Sequence, residues 1–259
     1  MYPVLGEVLG LPVGTHQVFV ALGLVVALGV FAAERRRRRM DDPRVWSVVA
    51  VSLAWGAVFM YLGTWLQHVD LSRNAGFVQQ FLYGNRSVLG GLLGAYVGAH
   101  VGKRLTGYRA RTGALFAPAV AAGMMVGRIG CLLTENPGTP TGGAWGLVLS
   151  QEAAVRTGGL AGVPLHPSFV YEIAFHAIAF VLLVRYRDRL AEPAELFTLY
   201  IGAYAAFRFV VEFVRGNELA WMGLTRPQLF LAVVLPLVLW RVAVVLIRSG
   251  SSPSLQETA

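Results

Sequence analysis

The chain has 259 residues, of which 56% are hydrophobic and only 14% charged. A mean hydropathy of +0.58 is too apolar for a soluble domain of this length, so the composition predicts an all-α integral membrane protein. The formal net charge of +8 does not indicate nucleic-acid binding, because the arginines lie in short blocks between apolar runs, as in the loops of membrane proteins. The single cysteine, Cys131, excludes an intramolecular disulfide.

Seven apolar segments follow one another along residues 1–248, which we interpret as one polytopic membrane domain with seven transmembrane helices. Residues 67–86 are mixed in character and predict a piece that lies in the membrane interface. Residues 249–259 are polar and predict a disordered cytoplasmic tail. The predicted spans are residues 14–33, 46–66, 87–102, 112–132, 165–184, 196–214 and 227–247.

The distribution of positive charge sets the predicted orientation of the spans. The loops after the first, third and fifth spans, together with the tail, carry 14 of the 22 Lys and Arg residues. Cytoplasmic loops are enriched in these residues, so we expect the N-terminus outside and the C-terminus in the cytoplasm. The loop 136–163, rich in Gly, Thr and Pro, then lies on the outer face and forms a small extracytoplasmic cap.

The third predicted span has a row of glycines at intervals of four residues, which places them on one helix face. Repeated glycines at this spacing let two helix backbones approach closely. We interpret the row as a packing surface and assign it no chemistry. Its members are Gly90, Gly94, Gly98 and Gly102.

The fourth span carries an arginine, Arg128, deep in apolar sequence, and the chain then breaks into a Gly/Pro-rich turn that holds Glu135. A charge near the bilayer centre costs ~3 kcal/mol or more and marks a functional position by default. Irregular backbone at such a depth is tolerated where it lines a cavity or packs on protein. A buried cation beside irregular backbone predicts a site for an anionic group.

Two further spans bring ionisable groups to a similar depth. At ~1.5 Å per residue, Arg128 lies roughly 24 Å beyond the cytoplasmic start of its span and Arg208 roughly 20 Å beyond the start of the sixth. Glu172 lies roughly 10 Å in from the outer end of the fifth span. In a hydrocarbon layer ~30 Å thick, all three groups fall at one level in the outer half. We therefore expect them to meet.

The sixth span places four polar residues at spacings of 4, 4 and 3, which puts them on one helix face. They are Tyr204, Arg208, Glu212 and Arg215. In the alternative interpretation Arg208 and Glu212 only neutralise each other, but that does not explain the additional arginine at the same depth. At the start of the fifth span, HPSFVYE places His166 beside a helix N-terminus, which offers free N–H groups to an anion.

The segments GRIGCLLTE, HPSFVYE and YAAFRFVVEF occur in this order, and LGGLLG precedes them in the third span. Together they resemble the bacterial prolipoprotein diacylglyceryl transferases over most of the chain. The resemblance implies a multi-pass enzyme of the bacterial cytoplasmic (inner) membrane. Such enzymes transfer the diacylglyceryl group of phosphatidylglycerol to the lipobox cysteine thiol at the signal peptide of a prolipoprotein and release glycerol phosphate.

Matching positions carry the family's roles to this chain. Arg128 stands at the arginine of G-R-x-G, and Glu135 stands one position nearer that arginine than the family's trailing glutamate. Pattern and resemblance together predict catalytic roles for Arg128, Arg208, Glu135, His166 and Glu212, and substrate binding by Arg128, Arg208, Tyr204, Tyr171 and Glu172. The predicted partners are phosphatidylglycerol, membrane lipid and the prolipoprotein, with no nucleic acid, metal or cofactor.

The sequence departs from the family pattern at three positions. Cys131 replaces the usual asparagine, Leu89 replaces a histidine before paired glycines, and His16 occupies the place of a tyrosine in the first span. The histidine replaced by Leu89 is a candidate base in the family, so the base remains open here. The candidates are His166, His16, Glu135 and Glu212.

Other functions are compatible with part of the pattern. A transporter or binding protein for an anionic lipid would also place arginines at mid-depth, although transporters usually contain internal repeats and none is evident. The departures also allow a protein derived from the transferases that uses a different acceptor. An intramembrane protease is disfavoured, because G-x-S-x-G, paired aspartates and H-E-x-x-H do not occur.

Overall fold

The structure is a computed structural model that describes residues 4–8, 11–65, 76, 78–79, 87–190 and 192–250. The interfacial piece predicted at residues 67–86 lies outside the described residues except at 76 and 78–79, and so does the tail from residue 251. The described α-helices are α1 Thr15–Arg37, α2 Arg44–Trp65, α3 Val88–Thr106, α4 Gly113–Thr134, α5 Gln151–Thr157, α6 Ser168–Tyr186, α7 Leu196–Val211 and α8 Arg226–Gly250.

Short elements connect or precede these helices. A 3₁₀ turn, Pro193–Glu195, leads into α7, and a second, Glu212–Val214, follows it. The described residues also form three two-stranded antiparallel sheets. Their strands are β1 Val4–Val8 with β2 Leu11–Gly14, β3 Leu147–Val148 with β4 Pro164–Leu165, and β5 Leu219–Trp221 with β6 Leu224–Thr225.

Six of the described helices are long and apolar enough to cross a membrane, which confirms an all-helical integral membrane protein. The exception among the seven predicted spans is α3, whose sequence includes five glycines, Lys103 and Arg104. Seven spans and the orientation of the termini therefore stay predictions. The predicted span ends fall within a few residues of the helix ends, and α8 extends to Gly250, beyond the predicted end of its span.

The chain divides into two compact units, residues 40–110 and the remainder of the chain. In the larger unit α4 lies against α1, and small residues let these two helices touch. A side chain on Gly23 would place its Cβ 2.6 Å from the carbonyl oxygen of Gly123. On another side of α4, its alanines pack with α6 and α7 in one core cluster that includes Ala117, Leu183 and Tyr200. This packing fixes α4 as the central helix of the unit.

The ends of α1 and α6 are joined by a cluster of charged groups. Glu34 is buried and pairs with Arg187, and it accepts a hydrogen bond from Nε of Arg37 at 3.2 Å. The guanidinium of Arg37 also donates to both oxygens of Asp188, at 2.9 and 3.0 Å. These hydrogen bonds hold the pKa of the Asp188 carboxyl below its usual value. Several arginines that set the predicted orientation therefore also form ion pairs between the ends of these helices.

The smaller unit is built on the glycine row of α3, which confirms the predicted packing surface. Gly94, Gly98 and Gly102 are buried, and each lies against α2. A Cβ on Gly98 would lie 2.7 Å from Cβ of Trp55 and 2.8 Å from the carbonyl oxygen of Val51. Glycine is needed here because the two helix backbones leave no room for a side chain.

The loop 136–163 has more regular structure than its composition suggests. It contains β3 and the short helix α5, whose first turn is capped by Ser150 accepting from the Ala153 N–H at 3.2 Å. Leu149, Ala153 and Ala154 pack with Leu165 into a small apolar core. The loop therefore forms an ordered subdomain between α4 and α6.

We predict that Gly98→Ala destabilises the protein, whereas Gly91→Ala does not. Overpacking at Gly98 should cost about 1–3 kcal/mol. A Cβ on Gly91 would meet its nearest neighbour at 3.7 Å, an ordinary contact, and alanine favours the helix by about 1 kcal/mol over glycine. Thermal unfolding of both variants in detergent checks this, and an equal melting temperature for the two would contradict the packing argument.

Candidate active site

Arg128, Glu172 and Tyr204 meet inside the larger unit, each from a different helix. Nε of Arg128 in α4 lies 2.7 Å from Oε2 of Glu172 in α6. Nη2 of Arg128 donates a hydrogen bond to the Tyr204 hydroxyl in α7 at 3.1 Å. All three residues are buried. The expectation that Arg128 and Glu172 meet is borne out by this contact, whereas Arg208 pairs with Glu212.

Glu172 connects Arg128 to a second arginine. Its Oε1 accepts a hydrogen bond from Nη1 of Arg215 at 2.5 Å, and its side chain is 0% exposed. The guanidinium of Arg215 stacks over the ring of Phe169, with 4.3 Å from Cζ to the centroid. One carboxylate is therefore shared between two arginines, one following α7 and one within α4.

A second ion pair lies at the C-terminal end of α7. Arg208 pairs with Glu212 one turn later, and both are buried. Oε1 of Glu212 also accepts hydrogen bonds from Asn217 at 2.7 Å and from the Thr225 hydroxyl at 2.8 Å. Of the predicted polar face, Tyr204 and Arg208 lie in α7, whereas Glu212 lies in the following 3₁₀ turn and Arg215 comes after that turn. Arg208 is held by a carboxylate whose two oxygens are both engaged.

Thr225 and Gln228 were not predicted, although the sequence contains their signal. Thr225 precedes α8, and its backbone N–H donates to Oε1 of Gln228 at 3.0 Å while its hydroxyl accepts from the Gln228 N–H at 3.4 Å. This reciprocal arrangement is a capping box, and its pattern, Thr-x-x-Gln, is readable in the sequence. The cap fixes the hydroxyl that contacts Glu212.

A further buried layer lies behind Tyr204. His176 and Tyr200 are buried, and Nδ1 of His176 lies 3.1 Å from the Tyr200 hydroxyl. The imidazole packs on the Tyr204 ring at a centroid distance of 4.8 Å. His176 was not assigned a role from the sequence, because a lone histidine in an apolar helix gives no signal of its partners. Its contacts support the tyrosine that Arg128 holds.

The arginines retain donor capacity in spite of their carboxylate partners. Nε of Arg215 is buried without a hydrogen-bond partner among the described residues. Nε of Arg128 also lacks a hydrogen bond there despite its close approach to Glu172, so that contact is an ion pair with poor alignment. Nη1 of Arg128 has only a weak acceptor, Sγ of Cys131, at 3.8 Å. Three arginines face the buried carboxylates of Glu172 and Glu212 and the 42%-exposed carboxylate of Glu135. The N–H donors that lack an acceptor among the described residues leave the cluster suited to an additional anion.

His16, Cys131 and Glu135 lie close together where the start of α1 meets the end of α4. Nδ1 of His16 lies 3.6 Å from Oε1 of Glu135 and 3.8 Å from Sγ of Cys131. Oε2 of Glu135 lies 3.6 Å from Nη2 of Arg215. Glu135 therefore connects His16 to the arginine cluster. The sequence does not predict that His16 lies near Glu135, because their distance depends on how α1 packs against α4.

His166 lies in a different set of contacts. Its Nδ1 is 3.2 Å from the Tyr171 hydroxyl, and its ring meets that of Trp145 edge-on at 5.1 Å. Trp145 belongs to the loop between α4 and α6. These contacts do not include an arginine, in contrast to those of Glu135. The predicted site residues thus separate into an arginine–glutamate cluster and an aromatic group around His166.

Fold and site together define a helical integral membrane protein with a cluster of arginines and glutamates buried among its helices. The sequence model of the prolipoprotein diacylglyceryl transferase family matches residues 3–247. The chain belongs to this family of transferases.

Similar proteins are known from several bacteria. A phosphatidylglycerol–prolipoprotein diacylglyceryl transferase of Dehalococcoides mccartyi strain BAV1 is 28% identical over 92% of this chain and 93% of its own length. One from Pseudomonas paraeruginosa strain PA7 is 29% identical over 85% and 86%. A transferase numbered 2 in Clostridium perfringens strain 13 is 25% identical over 89% and 90%. The similarity therefore extends over nearly the whole length of both partners.

We predict that Glu172→Gln lowers stability far more than Glu135→Gln. The first change leaves two largely buried arginines without their shared carboxylate, at a cost of about 3–5 kcal/mol. The Glu135 side chain is 42% exposed, so its loss should cost about 0–1 kcal/mol. Melting of the two variants in the same detergent tests this difference. Equal melting temperatures would show that Glu172 does not hold the cluster together.

Proposed function

We propose that this protein transfers the diacylglyceryl group of phosphatidylglycerol to the lipobox cysteine thiol of a prolipoprotein and releases glycerol phosphate. Family membership and the names of the similar proteins support the reaction class. The observation that carries the proposal is a largely buried group of three arginines whose N–H donors are only partly matched by acceptors among the described residues. A phospholipid head group has the charge and oxygen acceptors that such a cluster lacks.

The transfer reaction requires hydrogen-bond donors for a leaving phosphate, and the arginines of the cluster can supply them. The acceptor sulfur attacks a glycerol carbon of the lipid, a new carbon–sulfur bond forms, and the carbon–oxygen bond to phosphate breaks. Negative charge grows on the leaving phosphate, so donors aimed at its oxygens stabilise the transition state. Guanidinium groups can grip phosphate with two parallel N–H bonds. We assign this role to Arg128 and Arg208.

The carboxylates and Tyr204 hold the arginines for this task. Glu172 and Glu212 each have both oxygens engaged by neighbouring groups. Because these partners occupy both oxygens of Glu212, we assign it to positioning Arg208 and do not propose it as the base. Tyr204 accepts from Arg128 and fixes the orientation of its guanidinium. Precise orientation of this kind lowers the reorganisation needed during reaction.

The acceptor thiol must lose its proton, and we propose His16 with Glu135 as the groups that remove it. His16 is near Glu135, whose other oxygen approaches Arg215 and so reaches the arginine cluster. A carboxylate beside an imidazole orients the ring and stabilises its protonated form. His166 is the second candidate, because Tyr171 orients its ring. Comparison of His16→Gln with His166→Gln separates these assignments.

We infer seven transmembrane helices in one membrane domain, residues 1–248, in the bacterial cytoplasmic membrane. The N-terminus and the loop 136–163 are placed outside by the positive charge of the alternate loops. The prolipoprotein is recognised at its signal peptide, which enters from the same membrane. Since the departures at Cys131 and Leu89 also fit a changed acceptor, the assay should compare a lipobox peptide with one whose cysteine is replaced by serine.

We predict that Arg128→Lys and Arg208→Lys lower kcat/KM for diacylglyceryl transfer by about 100-fold or more. Lysine keeps the positive charge beside Glu172 or Glu212, so the fold should persist, but a point charge cannot reproduce the two-bond grip on phosphate. The measurement is release of glycerol phosphate from phosphatidylglycerol in the presence of a lipobox peptide. Melting in detergent is recorded in parallel.

The matched control is Arg241→Lys, an arginine of α8 that pairs with Glu195 and lies outside the cluster. It should transfer at the parental rate. Full activity of Arg128→Lys or Arg208→Lys would remove that arginine from the mechanism. Loss of melting stability together with activity would favour a purely structural role, and lipid binding without glycerol phosphate release by the parent protein would favour a binding protein or transporter.

A second prediction concerns orientation. In a Cys131→Ala background, Val155→Cys should react with a membrane-impermeant thiol reagent in intact cells, because Val155 is 77% exposed in the proposed outer loop. Arg189→Cys, at an exposed position after α6, should react only after the membrane is permeabilised. The reverse pattern of labelling would invert the proposed topology.

A further inference from the structure

His16, Cys131 and Glu135 each offer one atom that can bind a metal ion, and these atoms all lie within 4.8 Å of one another. Nδ1 of His16 is 3.6 Å from Oε1 of Glu135 and 3.8 Å from Sγ of Cys131. A tetrahedral ion with metal–ligand distances of about 2.0–2.3 Å holds its ligand atoms about 3.4–3.6 Å apart. The two separations from His16 are within a few tenths of an ångström of that geometry, and Sγ of Cys131 lies within 4.8 Å of the Glu135 oxygen.

The backbone holds the three side chains in this arrangement. Cys131 and Glu135 are one helical turn apart, and the Glu135 N–H donates to the Cys131 carbonyl oxygen at 2.8 Å. His16 belongs to the first turn of α1, which approaches α4 at Gly130. A Cβ on Gly130 would lie 2.9 Å from Cβ of Phe19 and 3.2 Å from Cα of His16. The glycine therefore permits the close approach that brings the imidazole to the thiol.

The types of ligand define the class of metal. One thiolate, one imidazole and one carboxylate suit a borderline ion such as Zn²⁺, whereas Mg²⁺ and Ca²⁺ favour oxygen ligands alone. The thiolate and carboxylate together match the charge of a divalent ion. Glu135 can serve although Arg215 is near, because Arg215 approaches Oε2 and leaves Oε1 directed at His16.

The group is only partly enclosed by the protein. The side chains of His16 and Glu135 are 32% and 42% exposed, whereas Cys131 is buried. Three protein ligands leave a fourth position for water, as in zinc sites that are not purely structural. The cysteine enters the site only as its thiolate, so each metal ion bound replaces one proton on Sγ of Cys131 and releases it to solvent.

We propose that His16, Cys131 and Glu135 form a binding site for Zn²⁺ that inhibits the enzyme by occupying His16. The metal site rests on the geometry of these three residues alone. Its inhibitory effect rests on the proposed function, in which His16 accepts the proton of the acceptor thiol. An imidazole nitrogen bound to metal has no lone pair left for that proton.

The binding test uses the purified full-length protein in detergent, treated with a chelator and then titrated with Co²⁺ as a spectroscopic probe. We expect one Co²⁺ per chain, with thiolate-to-cobalt absorption in the near ultraviolet and visible bands of tetrahedral coordination. Zn²⁺ should abolish both signals by displacement. Absence of the thiolate band at saturating Co²⁺ would overturn the site.

Variants assign the ligands. Cys131→Ser should abolish the thiolate band, and His16→Gln and Glu135→Gln should each weaken Co²⁺ binding by more than about tenfold. The matched control is His100→Gln in α3, whose Nδ1 contacts the Tyr96 carbonyl oxygen, and its titration should equal that of the parent. Unchanged binding in His16→Gln and Glu135→Gln would reduce the site to adventitious binding at a thiol and contradict the proposal.

The inhibition test compares each protein with its own activity in chelator. Micromolar Zn²⁺ should suppress transfer by the parent and by His100→Gln, and the suppression should be lost in Cys131→Ser. Stoichiometric metal binding with full transfer activity would refute the inhibitory role. If the parent released no glycerol phosphate under any condition, the proposed function would fail, while the Co²⁺ titration would still decide the metal site.

Discussion

The buried carboxylate of Glu172 is the contact on which the site depends. It lies between Arg128 and Arg215, so a single anion makes two guanidinium groups tolerable in an apolar interior. An unpaired charge there would be costly, whereas a shared carboxylate offsets part of the cost for both cations. Because the partners come from α4, α6 and the segment after α7, this contact also fixes the relative positions of three chain segments.

Although Glu172 is shared in this way, some guanidinium N–H donors of the cluster have no acceptor among the described residues. Arg208 is paired with Glu212, and Glu135 lies 3.6 Å from Arg215 but is 42% exposed. Nε of Arg215 has no hydrogen-bond partner among the described residues. A site whose N–H donors were all satisfied would offer a phosphate no advantage. In the proposed reaction, the donors left unmatched in the free protein bind the phosphate, which provides binding energy and stabilises charge on the leaving group.

Much of this site follows from the sequence, because depth in a membrane can be counted along a helix. Residue spacing alone predicts that Arg128, Glu172 and Arg208 share one level and that Tyr204 lies on the face of Arg208. Residue spacing also assigns Arg215 to that helix face, but Arg215 comes after α7 has ended, and Thr225, further along the chain, was not predicted. The glycine row predicts its packing correctly, yet it also lowers the hydropathy that would mark α3 as a span.

The proximity of His16 to Cys131 and Glu135 was beyond sequence reasoning, since it requires α1 to meet α4 at Gly130. Exposure rises along the contacts from this cluster's buried end: Glu172 is 0% exposed, Arg215 10% and Glu135 42%. Coulombic forces weaken in the same direction as water becomes available. In the proposed reaction, the buried arginines bind the phosphate, and His16, whose side chain is 32% exposed, removes the proton of the acceptor thiol. In this arrangement His16 is both the proposed base and a ligand of the proposed metal site.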